Sequence, residues 1–289
     1  AEMLDVNQQT VARWENGKTE PSIAQLKDLA MIYKTSVDAI LGKVQPISPF
    51  PKYLHPPENS VHEEYFFGYL GITLLNGELT RWFPVTDKVA GRFLNLTWRE
   101  EDEIGWEVFE TLNNRYVAVN LNNVTSFTIN DDDADEPEGD WKYTYFEDTL
   151  PDEMYRGLAN HWDQFDDVKT SAKYKATIDG YVKEKKLNGE QLSTMFNYPK
   201  IYGKKKLMYD SIFVNYKSLA NVYDYISMGI HNKEYLRITD FDDGNYYILN
   251  NKEIAMIDAS RIHVLDAMEE NLRDMQEEEE EILNKKSKK

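Results

Sequence analysis

Residues 7–18 read Asn7-Gln8-Gln9-Thr10-Val11-Ala12-Arg13-Trp14-Glu15-Asn16-Gly17-Lys18, and this dozen decides how the start of the chain folds. Asn7 suits a helix N-cap, because its side-chain oxygen can accept from a backbone N–H that the first turn leaves unpaired. Val11 and Trp14 lie three apart on one face of the helix that follows, so they are expected to pack inward. Gln8, Gln9 and Arg13 are then left on its exposed side. Gly17, next to Asn16, can take the positive φ that ends a helix. Working outward, residues 1–4 read as the last turn of another helix, with Asp5 and Val6 as the corner between the two. On the other side Ile23, Leu26, Ala30 and Tyr33 recur at helical spacing, and residues 36–41 make one more short helix.

The order Q-Q-T-V-x-R-W-E-N-G-K, then E-P-S, then V-D-x-I-L-G, resembles the Cro/repressor-type helix-turn-helix domain of the XRE family over residues 1–42. The resemblance implies an all-α head whose second, recognition helix spans residues 7–15 and enters the major groove of double-stranded DNA. Gln8, Gln9 and Arg13 are then the base readers, glutamine pairing with adenine N6 and N7, arginine with guanine O6 and N7. Asn7, Thr10, Asn16 and Lys18 are the phosphate-positioning residues, which set register without reading sequence. The family pattern also implies a helix ahead of Ala1, carrying an arginine for the glutamate that matches Glu15, and a glycine where this chain has Asp5. A helix-turn-helix kept only for protein contacts would present the same pattern.

Charge bounds the partners. Across 289 residues, 33 Lys+Arg stand against 51 Asp+Glu, a formal net charge of −18, so the chain does not grip nucleic acid or anionic lipid through its overall charge. Residues 1–42 hold four basic and six acidic side chains, so a single head would bind DNA weakly and in a salt-sensitive way. That argues for a homodimer whose two heads occupy half-sites about one DNA turn apart. The absence of cysteine excludes a disulfide framework and thiolate chemistry and is compatible with a reducing compartment. No run of about 18 apolar residues and no basic-then-apolar leader occurs, so neither a membrane span nor a secretion signal is expected, and the location is expected to be cytoplasmic.

The domains follow from shifts in composition. Residues 1–43 form the head. Residues 44–62 hold Pro46, Pro49, Pro51, Pro56 and Pro57 and read as a semi-rigid linker. Strands are expected at residues 65–75 and 78–83, joined by a primed turn at Asn76-Gly77, and again at 92–98, 106–112, 115–120 and 124–129, as a β-meander. DDDADEPE at 131–138 reads as an acidic loop, and residues 152–165, after Pro151, as an amphipathic helix. Residues 169–217 carry eleven lysines against four acids, the only basic segment.

An internal similarity pairs RFLNLTW (92–98) with EYLRITD (234–240), and LNNRYVAV (112–119) with LNNKEIAM (249–256). It suggests two copies of a small module, although chance likeness between short strands would look similar. The expected architecture is an all-α helix-turn-helix head plus an α+β body with a duplicated small β-meander or barrel-like module. The first module is 63–130, the acidic loop and helical Lys-rich connector 131–206, the second module 207–268, and a charged C-terminal helix or tail 269–289.

Catalytic signals in the pattern are poor. His55, His62, His161, His231 and His263 are scattered, and Asp240, Asp242, Asp243 and Gly244 suit a hairpin turn better than a calcium loop. Neither catalytic residues, metal, nor cofactor is expected, and the chain is not expected to be an enzyme. Aromatic residues alternating along the strands read as sheet cores, or alternatively as a stacking platform for single strands helped by Lys183, Lys185, Lys186, Lys204, Lys205 and Lys206. A protein or small-molecule effector on residues 63–268 is the third possibility. The reading overall is a sequence-specific double-stranded DNA-binding transcriptional regulator, a repressor of the phage or mobile-element kind, with a C-terminal oligomerisation and regulatory body. The alternative is a protein-interaction factor, antitoxin-like or anti-defence, whose head serves only autoregulation.

Overall fold

Side-chain caps set the helices of the head. In a computed structural model, which describes residues 1–43, 47–48, 64–74, 77–98, 105–134, 137, 150–162, 170–209, 212–228, 235–240 and 245–287, a 3-10 turn at Glu2–Leu4 leads into three helices. These are α1 (Gln8–Glu15), α2 (Ile23–Tyr33) and α3 (Val37–Ile40). The Thr10 N–H donates to Asn7 Oδ1 at 2.8 Å, Ser22 and Gln25 cap each other's backbone, and the Ala39 N–H donates to Ser36 Oγ at 3.0 Å. At the far end of α1 the N–H groups of Gly17 and Lys18 return to the carbonyls of Trp14 and Arg13, with Gly17 at φ 65°. This is the left-handed ending that glycine makes inexpensive. The corner residue Asp5 sits at φ 52°, ψ 40°, a conformation that aspartate tolerates better than most side chains.

The body follows in the order β1 (Ile47–Ser48), β2 (Glu64–Leu74), β3 (Leu79–Thr86), α4 (Asp87–Leu94), β4 (Trp106–Glu110), β5 (Arg115–Asn120) and β6 (Ser126–Asp131). Then come α5 (Asp152–Trp162), α6 (Ala172–Glu184), α7 (Gly189–Asn197), β7 (Lys200–Gly203), β8 (Leu207–Tyr209) and α8 (Tyr216–Ser227). The chain closes with β9 (Tyr235–Thr239), β10 (Tyr246–Asn250), β11 (Ile254–Ser260) and α9 (Arg261–Ser287). β2 is the centre of one sheet, paired antiparallel with β3 and β6 and, over its first two residues, parallel with β1. A second, antiparallel sheet runs β4-β5-β11-β7-β8, and β9 and β10 form a two-stranded ribbon. Gly68, at φ 146°, opens a bulge in β2, and a Cβ there would lie 2.2 Å from the Asn130 carbonyl oxygen.

The five-stranded sheet is the middle layer. Val117, Val119 and Met256 face a core shared with β2, β3 and α4, while Ala118, Ile257 and Ala259 face a second core under α8 and the ribbon. β11, covered on both faces and paired on both edges, is buried along its whole length. A third core, of Met154, Tyr155, Leu158, Tyr174, Ile178, Leu192, Phe196 and Ile262, joins α5, α6 and α7 to the root of α9.

The α+β body is as expected, and two expectations about its strands are corrected. Residues 92–98 are the end of α4 and a 3-10 turn, because Thr86 caps the helix and Val89, Ala90 and Phe93 bury one helical face. Leu94 and Trp98 are left 55% and 85% exposed. The matching stretch at 235–239 is a strand, so the first pair of similar sequences adopts different structures. Of the second pair, 112–119 ends in β5, while 249–256 runs from the end of β10 through a 3-10 turn into the start of β11, which lies beside β5 from Met256↔Val119 to Ser260↔Arg115. The expected meander is thus divided between two sheets, and no closed barrel forms among the described residues. Most of the linker at 44–62, and residues 135, 136 and 138 of the acidic stretch, lie outside the described residues, as do Asn76, Asp242, Asp243 and Gly244.

Candidate nucleic-acid interface

Of the seven side chains expected at DNA, α1 and its two caps carry six, and Lys18 lies two residues past the second cap. Gln8, Gln9 and Arg13 are exposed, with Gln9 and Arg13 four residues apart on one stripe of the helix. Val11 and Trp14 turn to the other side but are only half-buried, since the described head is too small to enclose them. Asn7 and Lys18 are exposed at the two ends of α1. The structure gives two of the other assigned side chains a local role. The Thr10 hydroxyl donates to Asn7 Oδ1 at 3.0 Å, and the Asn16 amide donates to the Ala12 carbonyl at 2.6 Å. Both stiffen the ends of α1 in the geometry that presents Gln8, Gln9 and Arg13.

The body holds the head through α2 and the 3-10 turn ahead of α1. α2 lies against α5 and α6. Ser171 Oγ, beyond its own work as N-cap of α6, donates to Asp28 Oδ1 at 2.7 Å, and the Lys173 ammonium donates to the Met3 carbonyl. Lys27 places its ammonium 5.8 Å from the centre of the Tyr174 ring, and Met31 packs on the core beneath α5 and α6. Glu153 of α5, 3% exposed, accepts from the Val37 backbone N–H, and its Oε2 has no hydrogen-bond partner among the described residues. Burial holds its carboxyl above the usual glutamate range, against the pull of Arg156 and Lys27. None of these seam residues was among the assigned sites. The signal in sequence was the lysine-rich stretch from 169, but nothing local says that its first helix meets the head.

Deeper in the body, two polar groupings lie within the packing. Arg115 and Asp258, 3% and 0% exposed, pair at 2.6 Å across β5 and β11, and Arg115 also donates to the Met195 carbonyl of α7 at 2.7 Å. His263 Nδ1 faces the Phe196 carbonyl at 3.0 Å between the rings of Phe196 and Tyr216, and burial lowers its pKa from the usual histidine value. Among the described residues no three acidic or histidine side chains converge as metal ligands, and no helix is long and apolar enough to cross a membrane.

Comparison with known families agrees with this geometry. Residues 1–40 match the family model HTH_3, Helix-turn-helix, so the N-terminal segment is a Cro/XRE-type helix-turn-helix, a double-stranded DNA-reading element. No curated protein matches the chain, and no solved structure matches it.

Proposed function

We propose that the chain is a sequence-specific transcriptional regulator acting on double-stranded DNA, a repressor of the phage or mobile-element kind that works as a homodimer. The observation that carries the reading is α1 itself: a helix fixed by caps at both ends, with Gln8, Gln9 and Arg13 all exposed. On this reading the body supplies dimerisation and regulatory input, through an effector site within residues 63–268, rather than catalysis. Because α2 is docked on α5 and α6, the spacing of two heads would follow from the body's dimer geometry more than from the length of the linker.

The test is fluorescence anisotropy of the full chain on a duplex selected from a random pool and on a mixed-sequence duplex. Replacing Gln8, Gln9 or Arg13 by alanine is expected to cost about 1–3 kcal/mol of discrimination for each bidentate pair lost. Binding to the mixed duplex should change far less. Selectivity that survives all three replacements would overturn the reading. A sedimentation profile showing monomers on DNA as well as off it would remove the homodimer from it.

A further inference from the structure

We infer that the DNA-contacting surface does not end with the head but continues onto α6 of the body, whose lysines take phosphates beside the base-reading helix. The inference rests on the reading of α1 as a recognition helix and extends it to a second element.

Residues 1–42 carry four basic and six acidic side chains. A double helix presents one negative charge per about 1.7 Å of axis, so such a head has little with which to offset phosphate repulsion. The one basic stretch of the chain begins at 169, and the structure packs its first helix against the head. Residues 171–187 carry Lys173, Lys175, Lys183, Lys185 and Lys186 against Asp179 and Glu184, and all five lysines are exposed. One of the two acids, Asp179, faces His161 at 3.1 Å.

The position of α6 is as telling as its charge. The Lys173 ammonium reaches the Met3 carbonyl, four residues ahead of the Asn7 cap of α1, so the first turn of α6 stands at the entrance to the recognition helix. Ser171 and Tyr174 hold the same turn against α2 through Asp28 and Lys27. Lys173 to Lys183 spans about 15 Å along the helix, a length over which one DNA strand passes several phosphates. Lysine is suited to this task, since a flexible stem ending in a point charge follows a backbone without reading bases.

The test measures binding of the full chain to the selected duplex and to the mixed-sequence duplex over a range of salt. The double variant Lys175→Gln, Lys183→Gln removes charge from α6 while leaving Ser171, Lys173 and Tyr174 to hold the head. The control, Lys205→Gln with Lys206→Gln, removes the same charge from the β7–β8 turn. Each lost phosphate contact lowers the slope of log affinity against log salt by about 0.9, so the α6 variant is expected to lose up to about two units of slope. It should weaken both duplexes by the same factor, and the control should lose less than half as much slope. A slope equal to that of the unaltered chain, or an equal loss in the control, overturns the inference while selectivity stays intact. Failure of the unaltered chain to bind any duplex would overturn the reading of α1 and this extension together.

Discussion

In the head only Asp28 and Ala30 are buried among the residues of its helices, and a serine of the body covers Asp28; in the central sheet every residue of β11 is buried. The head gains its shape from contacts three to five residues apart: the caps of Asn7, Ser22 and Ser36 and the turn at Gly17. The sheet gains its shape from partners more than a hundred residues apart, such as Arg115 with Asp258 and Asn114 with Ser260. The difference teaches that a segment can declare its fold locally and still rely on another part of the chain for stability. Fully buried apolar side chains stabilise by about 1.5–3 kcal/mol each, and the described head has almost none of them.

The largest expected effect would break the sheet. Asp258→Ala leaves the Arg115 guanidinium buried without its partner and should cost about 3–5 kcal/mol in chemical denaturation of the whole chain. The helices of the head should lose hydrogen-exchange protection with the sheet, because α5 and α6 no longer present an ordered surface. A head that stays protected after the sheet has melted would be stable without the body.

A change of about 1 kcal/mol is expected from Asn7→Ala, which removes the cap of α1. The main denaturation transition of the body should not move, while exchange at residues 8–15 rises and DNA binding weakens. Ser171→Ala should cost about 0.5–1.5 kcal/mol through loss of its hydrogen bond to Asp28 and its cap on α6. Its signature is faster exchange in α2, with β5 and β11 unchanged.

The smallest effects depend on pH, and their signs differ. Glu153 has its pKa raised by burial, so the folded state holds its proton more firmly than the unfolded chain. Its contribution is full below the unfolded value and fades as pH rises through the folded one. Glu153→Gln should therefore raise the thermal midpoint at neutral pH and leave it unchanged in acid, tightening the seam between head and body. His263 has its pKa lowered, so its contribution is present above the unfolded value of about 6.5 and declines as pH falls below it. His263→Gln should flatten that decline, as read from midpoints on either side of pH 6.5.

How much of this was legible in the sequence depends on the reach of each contact. Asn7, Gly17 and Ser22 act within a few residues of themselves, so the ends of α1 and the start of α2 could be read directly. The strands at 106–110 and 115–120 could be read as well, from branched and aromatic residues on either side of a turn. Residues 92–98 could not, since Phe93 and Leu96 suit either period and the choice fell to the Thr86 cap and the core above β2. The structure does show one shared local feature, a corner in which Asn120 and Asn250 each cap a 3-10 turn between two strands. The LNN match set Asn113 and Asn114, not Asn120, against Asn250 and Asn251, and the separate match of 92–98 with 234–240 paired a helix with a strand.

By itself, then, the sequence determined the helix-turn-helix, the exposure of Gln8, Gln9 and Arg13, the helix-strand content of much of the body and the place of the lysines along the chain. Local hydrogen bonds, periodicity and charge are all written within a few residues of one another. Only the tertiary structure decided that β5 lies beside β11, that the meander divides between two sheets, and that α6 with its lysines stands against the head. Those pairings are chosen by which buried faces fit together across long loops, and a linear pattern names the faces without naming their partners.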